Sequence, residues 1–183
     1  MIGEFQIDSI DVLTAAMKEA RGAQPAWAGL PLKKRIKYIK KIRAYMLENL
    51  DELAGAVSSD NGKTRIEALG TEIVPAAMSL SYYCKKASAF LEDRKLPMGN
   101  IMFINKRSRI VRVPFGVVGI ISPWNYPFAI PFAEIIMALL AGNTVLFKAA
   151  SETQVVGHAL NRCINAAGMP AGVFNYINMP GSI

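Results

Sequence analysis

The apolar positions of this chain follow a helical period through its first half. They recur at three- and four-residue spacing between residues 32 and 53, which indicates an amphipathic helix with a basic outer face. The positions that define this stripe are Leu32, Ile36, Ile39, Met46, Leu50 and Leu53. Residues 1–99 are therefore predicted to form a helical part that precedes the sheet.

Capping and helix-breaking residues divide this helical part. Ser9 predicts the start of a first helix, and Gly22 and Pro25 predict its end. Thr64 predicts the cap of a later helical segment. From residue 100 the pattern changes, because apolar residues flank a charged turn. Residues 100–113 are predicted to form a hairpin, or two extended segments, that projects from the main body.

The next region predicts a strand, a helix and a second strand. Val117–Ile121 is a short apolar run, typical of a strand that is covered on both faces. Residues 131–141 show an apolar helical pattern, and residues 144–147 are again β-branched and apolar. This order predicts a right-handed crossover and a parallel sheet. The turn at residues 122–127 and Lys148 would then meet at the carboxyl ends of the strands, where open α/β sheets bind ligands.

A second crossover follows the first. Ser151 predicts the cap of a helix over residues 152–167, and residues 173–177 predict a third strand. The order β-α-β-α-β is half of a doubly wound nucleotide-binding sheet. The predicted fold class is α/β: an incomplete doubly wound parallel sheet over residues 114–183, preceded by the helical part and the β-extension.

The composition favours a globular protein without a membrane span. Apolar residues make up 52% of the chain, but no apolar run reaches the ~18 residues that a membrane span needs. The N-terminus has no basic segment before a hydrophobic one, so it does not resemble a signal peptide. Cys84 and Cys163 are too few and too far apart for a disulfide framework or a zinc site. We expect that the protein binds no metal ion and lies in a reducing cytoplasm.

The net charge of +7 raises the question of nucleic-acid binding. Much of this charge lies in residues 33–43, on the outer face of the amphipathic helix. A solvated face explains such a run, and no base-reading motif or aromatic stacking pattern accompanies it. We therefore expect neither a nucleic-acid partner nor a membrane partner.

Three segments together carry a specific resemblance: VPFGVVGIISPWNYP, LLAGNTVLFK and AAGMPAGVFNYIN. They resemble the NAD(P)-dependent aldehyde dehydrogenase superfamily, in particular semialdehyde dehydrogenases, and the similarity covers nearly the whole chain. Earlier residues agree with it, namely Trp27, Arg35, Gly62, Lys63, Glu67 and Glu72. The resemblance implies an enzyme that oxidises an aldehyde or semialdehyde to the carboxylic acid with NAD or NADP.

The resemblance implies a catalytic role for Asn125. In the family, the asparagine of this turn donates its side-chain amide to the oxyanion that forms when a thiolate attacks the aldehyde. A neutral donor suits a position where negative charge develops. From the local sequence alone, the alternative is an asparagine whose side chain caps its own turn.

The resemblance also implies a cofactor site. Four residues match positions along the nicotinamide end and pyrophosphate of the cofactor: Ile121, Ser122, Pro123 and Trp124. Lys148 matches a lysine that contacts the adenosine ribose, and Gly181 matches a glycine near the adenine. The family commonly has a glutamate three residues after the lysine, whereas here Ser151 takes that place and Glu152 comes next. Without that carboxylate, NADP should be tolerated or preferred.

The family's nucleophilic cysteine, general base and glycine-rich cofactor turn match nothing in this sequence. Cys84 and Cys163 are predicted to be packing thiols, and His158 is predicted to lie on a helix surface. Glu134 is predicted to be a buried carboxylate that needs a partner. The 183-residue chain alone is therefore predicted to be inactive as an enzyme.

Two functional hypotheses follow from these observations. The first is the N-terminal portion of an aldehyde dehydrogenase. The second is a non-catalytic oligomerisation or interaction module derived from the family. Members of that family are dimers or tetramers that use an extended arm of this kind, so the resemblance implies a homo-oligomer. The module would use the helical part and residues 101–113 to assemble with itself or with a full-length relative.

Overall fold

The computed structural model describes residues 5–97 and 99–181. In these residues a helical first half precedes a three-stranded sheet with two crossover helices. The helices are α1 (Ile10–Gly29), α2 (Leu32–Glu48), α3 (Leu50–Asn61), α4 (Arg65–Ala68), α5 (Val74–Leu91), α6 (Ala129–Leu140) and α7 (Gln154–Asn165). The strands are β1 (Arg94–Lys95), β2 (Arg109–Ile110), β3 (Val117–Ile121), β4 (Thr144–Lys148) and β5 (Phe174–Ile177).

The main sheet is parallel and has the order β3-β4-β5. Alternate residues of β4 point to opposite faces, as the two-residue period of a strand requires. Leu146 packs with Leu13 and Met17 of α1 on one face. Val145 and Phe147 join the larger core with the crossover helices on the other face. The predicted α/β class and the parallel β-α-β-α-β order are confirmed.

The helical part shares its core with the sheet. A single apolar cluster runs from Trp27 through the buried stripe of α2 to α6 and α7. Arg35 joins these elements, because its guanidinium donates hydrogen bonds to the carbonyls of Ala28 at 2.9 Å, Leu30 at 2.8 Å and Leu140 at 3.1 Å. Burial lowers the pKa of Arg35 below its ordinary value. The lysines on the opposite side of α2 are exposed, as expected for a solvated basic face.

Two predicted helix boundaries are wrong. The first helix does not end at Gly22 or Pro25 but continues to Gly29. Tertiary contacts outweigh these breakers, because the buried indole of Trp27 donates a hydrogen bond to the carbonyl of Leu139 at 3.0 Å. The last helix is not capped by Ser151, since it begins at Gln154 with Thr153 as the N-cap residue.

The predicted cap at Thr64 is confirmed. Its hydroxyl accepts from the backbone N–H of Glu67 at 3.2 Å, and the Glu67 carboxylate accepts from the N–H of Thr64 at 2.8 Å. This reciprocal pair is a capping box. The helix continues from α4 through a π-helical segment, Leu69–Ile73, into α5.

The β-extension differs from the predicted hairpin. Ile101–Phe103 forms a turn of 3-10 helix, and the paired strands are β1 and β2, in which Arg94 lies opposite Ile110. The loop between them is therefore longer than the charged turn suggested. The prediction that β3 is covered on both faces is also wrong, because Ile121 is 76% exposed.

Candidate functional site

The turn after β3 is tied to the end of β4. The backbone N–H of Ser122 donates to the carbonyl of Lys148 at 2.9 Å, and Ile121 lies beside Lys148 in the parallel ladder. The hydroxyl of Ser122 is buried and donates to the carbonyl of Pro123 at 3.0 Å. Both the hydroxyl and the backbone N–H of Ser122 therefore stabilise the turn itself.

Asn125 lies at the exposed tip of this turn. Its side-chain oxygen accepts a hydrogen bond from the backbone N–H of Tyr126 at 3.0 Å. Because that N–H can only donate, the contact fixes which end of the carboxamide faces the turn. The side-chain NH2 group then points away, and it makes no hydrogen bond to the part of the chain that the structure describes.

Three side chains of the helical part hold this turn. The amide of Asn61 donates to the carbonyl of Trp124 at 2.9 Å, and the ammonium of Lys63 donates to the carbonyl of Asn125 at 2.6 Å. Lys63 also pairs with the fully buried carboxylate of Glu72 at 2.5 Å. No period or spacing in the sequence indicates these contacts, which join residues about 60 positions apart. The only signal was that Lys63 and Glu72 belong to the family resemblance.

The carboxyl ends of the strands form one row of residues: Ile121, Lys148 and Ile177 are neighbours in the ladder. Ile121 is 76% exposed, and Trp124 in the adjoining turn is 63% exposed. The ammonium of Lys148 donates to the carbonyl of Ala149 at 3.1 Å and is partly buried. This edge therefore offers exposed apolar side chains beside a cation.

The remaining predicted cofactor residues lie around this edge. Pro123 is half-buried, and Ser151 and Glu152 are both exposed in the turn that follows β4. Gly181 is exposed beyond the end of β5. Ser151 and Glu152 follow Lys148 by three and four positions. Within residues 5–97 and 99–181, the Lys148 ammonium makes a hydrogen bond to neither of them.

The two thiols are placed as packing residues. Cys163 is fully buried in α7, and burial raises the pKa of its thiol to about 12. Cys84 is half-buried; burial raises the pKa of its thiol, and Lys40 partly offsets that rise. Both thiols stay protonated near neutral pH, so neither resembles an activated nucleophile.

Two predictions about other polar residues are wrong. Glu134 is exposed on α6 rather than buried, so it needs no partner. His158 is half-buried rather than on the surface, because its ring stacks on Phe5 with centroids 4.5 Å apart and meets Tyr176 edge-on at 5.0 Å. Packing of the N-terminal segment over α7, which helical period alone does not reveal, covers this ring.

Comparison with known proteins gives these features a context. The model of the aldehyde dehydrogenase family matches residues 1–183. The chain belongs to the aldehyde dehydrogenase family. The α-ketoglutaric semialdehyde dehydrogenase of Bacillus subtilis is 36% identical over 186 residues, which cover 100% of this chain and 36% of that protein. The mitochondrial succinate-semialdehyde dehydrogenase of Mus musculus is 36% identical over 166 residues, which cover 89% of this chain and 30% of that protein.

Solved structures agree with this assignment. An NADP-dependent enzyme of E. coli superimposes with a TM-score of 0.86 at 32% identity, over 94% of this chain and 35% of that chain. This aldehyde dehydrogenase chain spans about a third of the length of the relatives that it matches.

The edge of the sheet in this aldehyde dehydrogenase chain places the exposed side chains of Ile121 and Trp124 near Lys148. The N-terminus of α7 does not suit a phosphate, because the carboxylate of Asp60 already accepts from the N–H of Val156 at 2.9 Å. An anionic side chain at that position would repel a pyrophosphate.

Two negative findings apply to the described residues. No cluster of His, Cys, Asp or Glu within them could hold a metal ion. No helix in the same ranges is both long and apolar enough to cross a bilayer.

Proposed function

We propose that residues 1–183 are the N-terminal portion of an NAD(P)-dependent enzyme that oxidises an aldehyde or a semialdehyde. The observation that carries this proposal is the orientation of Asn125. Its side-chain oxygen is held by the turn, and its NH2 group makes no hydrogen bond within residues 5–97 and 99–181, at the exposed tip of the turn that follows β3.

Asn125 would stabilise the oxyanion that forms when a thiolate attacks the aldehyde carbonyl. A carboxamide is suited to this role because it donates a hydrogen bond without carrying a charge that must first be neutralised. Loss of one such donor typically lowers kcat by about 10²–10³. Asn125→Ala in the complete gene product should therefore lower kcat by that factor, and Asn125→Asp should lower it further because the carboxylate would repel the oxyanion. An unchanged kcat for Asn125→Ala would contradict the proposal.

Lys148 and its neighbours would bind the cofactor, which accepts the hydride when bound. The Lys148 ammonium would donate to the ribose hydroxyls, and Ile121 and Trp124 would cover the apolar faces of the rings. Ser151 places no carboxylate where a 2′-phosphate would bind, so this site should tolerate or prefer NADP.

Calorimetric titration of the 183-residue chain with NAD and with NADP tests the cofactor site. We expect weak binding, an NADP affinity at least equal to that for NAD, and loss of binding in Lys148→Ala. Lys106→Ala, which removes an exposed lysine of the β-extension, is the matched control. A clear preference for NAD, or binding that survives Lys148→Ala, would refute the ribose assignment.

Residues 1–183 alone should lack dehydrogenase activity. Their two thiols are protonated packing residues, and the family's general base matches no residue of this sequence. NAD(P)H production with a panel of short aldehydes and semialdehydes is the measurement. Turnover that is lost in Cys163→Ala would show that this thiol has been misassigned.

The second candidate is an oligomerisation module. It is favoured by apolar side chains on and beside the β-extension that remain largely exposed, namely Ile101, Met102, Ile104, Val113 and Phe115. The two candidates differ in one outcome: a complete gene product with dehydrogenase activity supports the enzyme, and one that assembles but has no activity supports the module.

A further inference from the structure

The tip of the turn that carries Asn125 has little apolar burial to hold it. Trp124, Asn125 and Tyr126 are all exposed, whereas burial resumes at Pro127 and Phe128. A segment without packed side chains is fixed mainly by its polar contacts. The contacts that reach this tip therefore determine how accurately the Asn125 amide is positioned.

Two of these contacts come from one turn of the helical part. Asn61 and Lys63 lie on either side of Gly62, which ends α3 in the left-handed conformation with φ of 76°. Asn61 donates to the carbonyl of Trp124 at 2.9 Å, and Lys63 donates to the next carbonyl, that of Asn125, at 2.6 Å. The backbone carbonyls of Asn125 and of Trp124 before it are thus both held by side chains of the helical part.

Glu72 provides the anchor for Lys63. Its fully buried carboxylate accepts from the N–H groups of Phe128 at 3.0 Å and Ala129 at 2.9 Å, at the N-terminus of α6, and from Lys63 at 2.5 Å. A buried carboxylate is stable where N–H donors, a helix N-terminus and a cation all meet it. Glu72 lies in the π-helical segment, and such segments are frequent at functional sites.

The ammonium of Lys63 is therefore fixed from three directions. It contacts the Glu72 carboxylate and the Asn125 carbonyl, and it lies 4.2 Å from the centroid of the Tyr126 ring. A lysine that served only to neutralise Glu72 would not need the other two contacts. The Asn125 carbonyl and the Tyr126 ring both belong to the turn.

We propose that Asn61, Lys63 and Glu72 form a clamp of positioning residues that holds the Asn125 amide ready to meet the oxyanion. The catalytic part of this inference rests on the proposed role of Asn125. The structural part, that the clamp fixes the conformation of residues 124–126, does not depend on it.

The kinetic test uses the complete gene product with Asn61→Ala, Lys63→Met and Glu72→Gln. A small displacement of a catalytic group can cost about 100-fold, so we expect kcat to fall by about 10- to 100-fold with little change in KM for the aldehyde. Glu67→Gln is the matched control, because Glu67 precedes Glu72 on the same helical segment and glutamine also fits its capping box. Glu67→Gln should retain full kcat.

A double-mutant cycle separates positioning from general loss of structure. If the clamp acts through Asn125, Asn61→Ala should lower kcat in the parent and cause little further loss in an Asn125→Ala background. Multiplicative losses would overturn the proposal, and so would an unchanged kcat for Asn61→Ala. Asn61→Ala leaves no buried charge unpaired, so it keeps the test valid if Lys63→Met fails to fold.

A spectroscopic test on the 183-residue chain requires no activity. Trp124 is 63% exposed and Trp27 is 1% exposed, so acrylamide quenching of fluorescence reports mainly on Trp124. Loss of the clamp should increase quenching and lower the fluorescence anisotropy, and Glu67→Gln should change neither. Unchanged values in both Asn61→Ala and Lys63→Met would refute the clamp. If Asn125→Ala leaves kcat unchanged but quenching responds as expected, the proposed oxyanion role of Asn125 is wrong. The structural part, that the clamp fixes residues 124–126, is then still supported.

Discussion

Cys163 lies on the buried side of α7, where burial raises the pKa of its thiol to about 12. At the scale of single residues, such environments decide which groups can react. Cys84 differs in degree, because it is half-buried and Lys40 counteracts part of the rise in its pKa. A thiolate is the reactive form, so its population and its access to solvent should control modification.

The first prediction concerns alkylation of these thiols. With iodoacetamide near neutral pH, the native chain should react slowly at Cys84 and not measurably at Cys163, as followed by peptide mass spectrometry. Both should react at similar rates in guanidinium chloride, which serves as the control for reagent access. Rapid labelling of native Cys163 would contradict the burial described above.

The second prediction concerns His158. Burial lowers the pKa of this imidazole, the positive charge of Arg162 lowers it further, and Asp8 partly opposes both. Its folded pKa is therefore below the ordinary value of 6.5. As the pH falls below about 6.5, the unfolded chain binds a proton that the folded chain does not bind, so the free energy of unfolding decreases.

This pH effect can be measured by urea unfolding between about pH 7 and pH 5. The stability of the parent should decline more steeply than that of His158→Phe, which cannot be protonated and retains an aromatic ring against Phe5 and Tyr176. Equal slopes for the two proteins would show that His158 is protonated as readily in the folded state as in the unfolded state.

At the scale of elements, α7 packs against the sheet through a residue without a side chain. A Cβ atom on Gly157 would lie 2.5 Å from the Cβ of Ala149 and 2.9 Å from the hydroxyl of Tyr176. Tyr176 in turn donates a hydrogen bond to Gln154 at 2.8 Å. The close approach of α7 to the ends of β4 and β5 therefore depends on glycine at this position.

The third prediction compares two helical glycines. Gly157→Ala should destabilise the fold by about 1–3 kcal/mol, because α7 must move away from Ala149 and Tyr176. Gly22→Ala, in the interior of α1 with no atom within 4 Å of the new Cβ, should instead stabilise the fold by about 0.5–1 kcal/mol. Urea unfolding of both variants decides the matter, and a stabilising Gly157→Ala would contradict the packing.

In the whole molecule, the β-extension and the edge of the sheet expose large apolar side chains. Phe115 is 96% exposed and Val113 is 75% exposed, beside the β-extension, and Ile121 is 76% exposed at the edge of the sheet. Burial of apolar surface stabilises an assembly by about 25 cal/mol per Å2. Several hundred Å2 of such surface would favour association by several kcal/mol.

The fourth prediction is that the chain forms an oligomer. Sedimentation velocity at micromolar concentration should give a species heavier than the 20.0 kDa of a single chain. A Val113→Ser and Phe115→Ser double variant should weaken association. Ile66→Ser is the matched control, because Ile66 is 84% exposed but lies on α4 in the helical part. A compact monomer at this concentration would refute the prediction.

Local patterns in the sequence were enough to predict the secondary structure of the sheet region and its fold class. Apolar runs and the strand–helix–strand order were sufficient to predict the parallel strands and to place the turn after β3 beside Lys148. Local patterns succeed here because strand period, capping and crossover handedness are set by interactions between near neighbours. The resemblance added the family, which the comparisons confirm.

The contacts between distant polar groups are visible only in the folded chain. Asn61 and Lys63 contact carbonyls more than 60 positions away, and no period or spacing encodes such pairs. The same reason explains the wrong predictions for Pro25, Glu134 and His158. Whether a breaker ends a helix, or a polar residue is buried, depends on free energies of packing that exceed local preferences of about 1–3 kcal/mol.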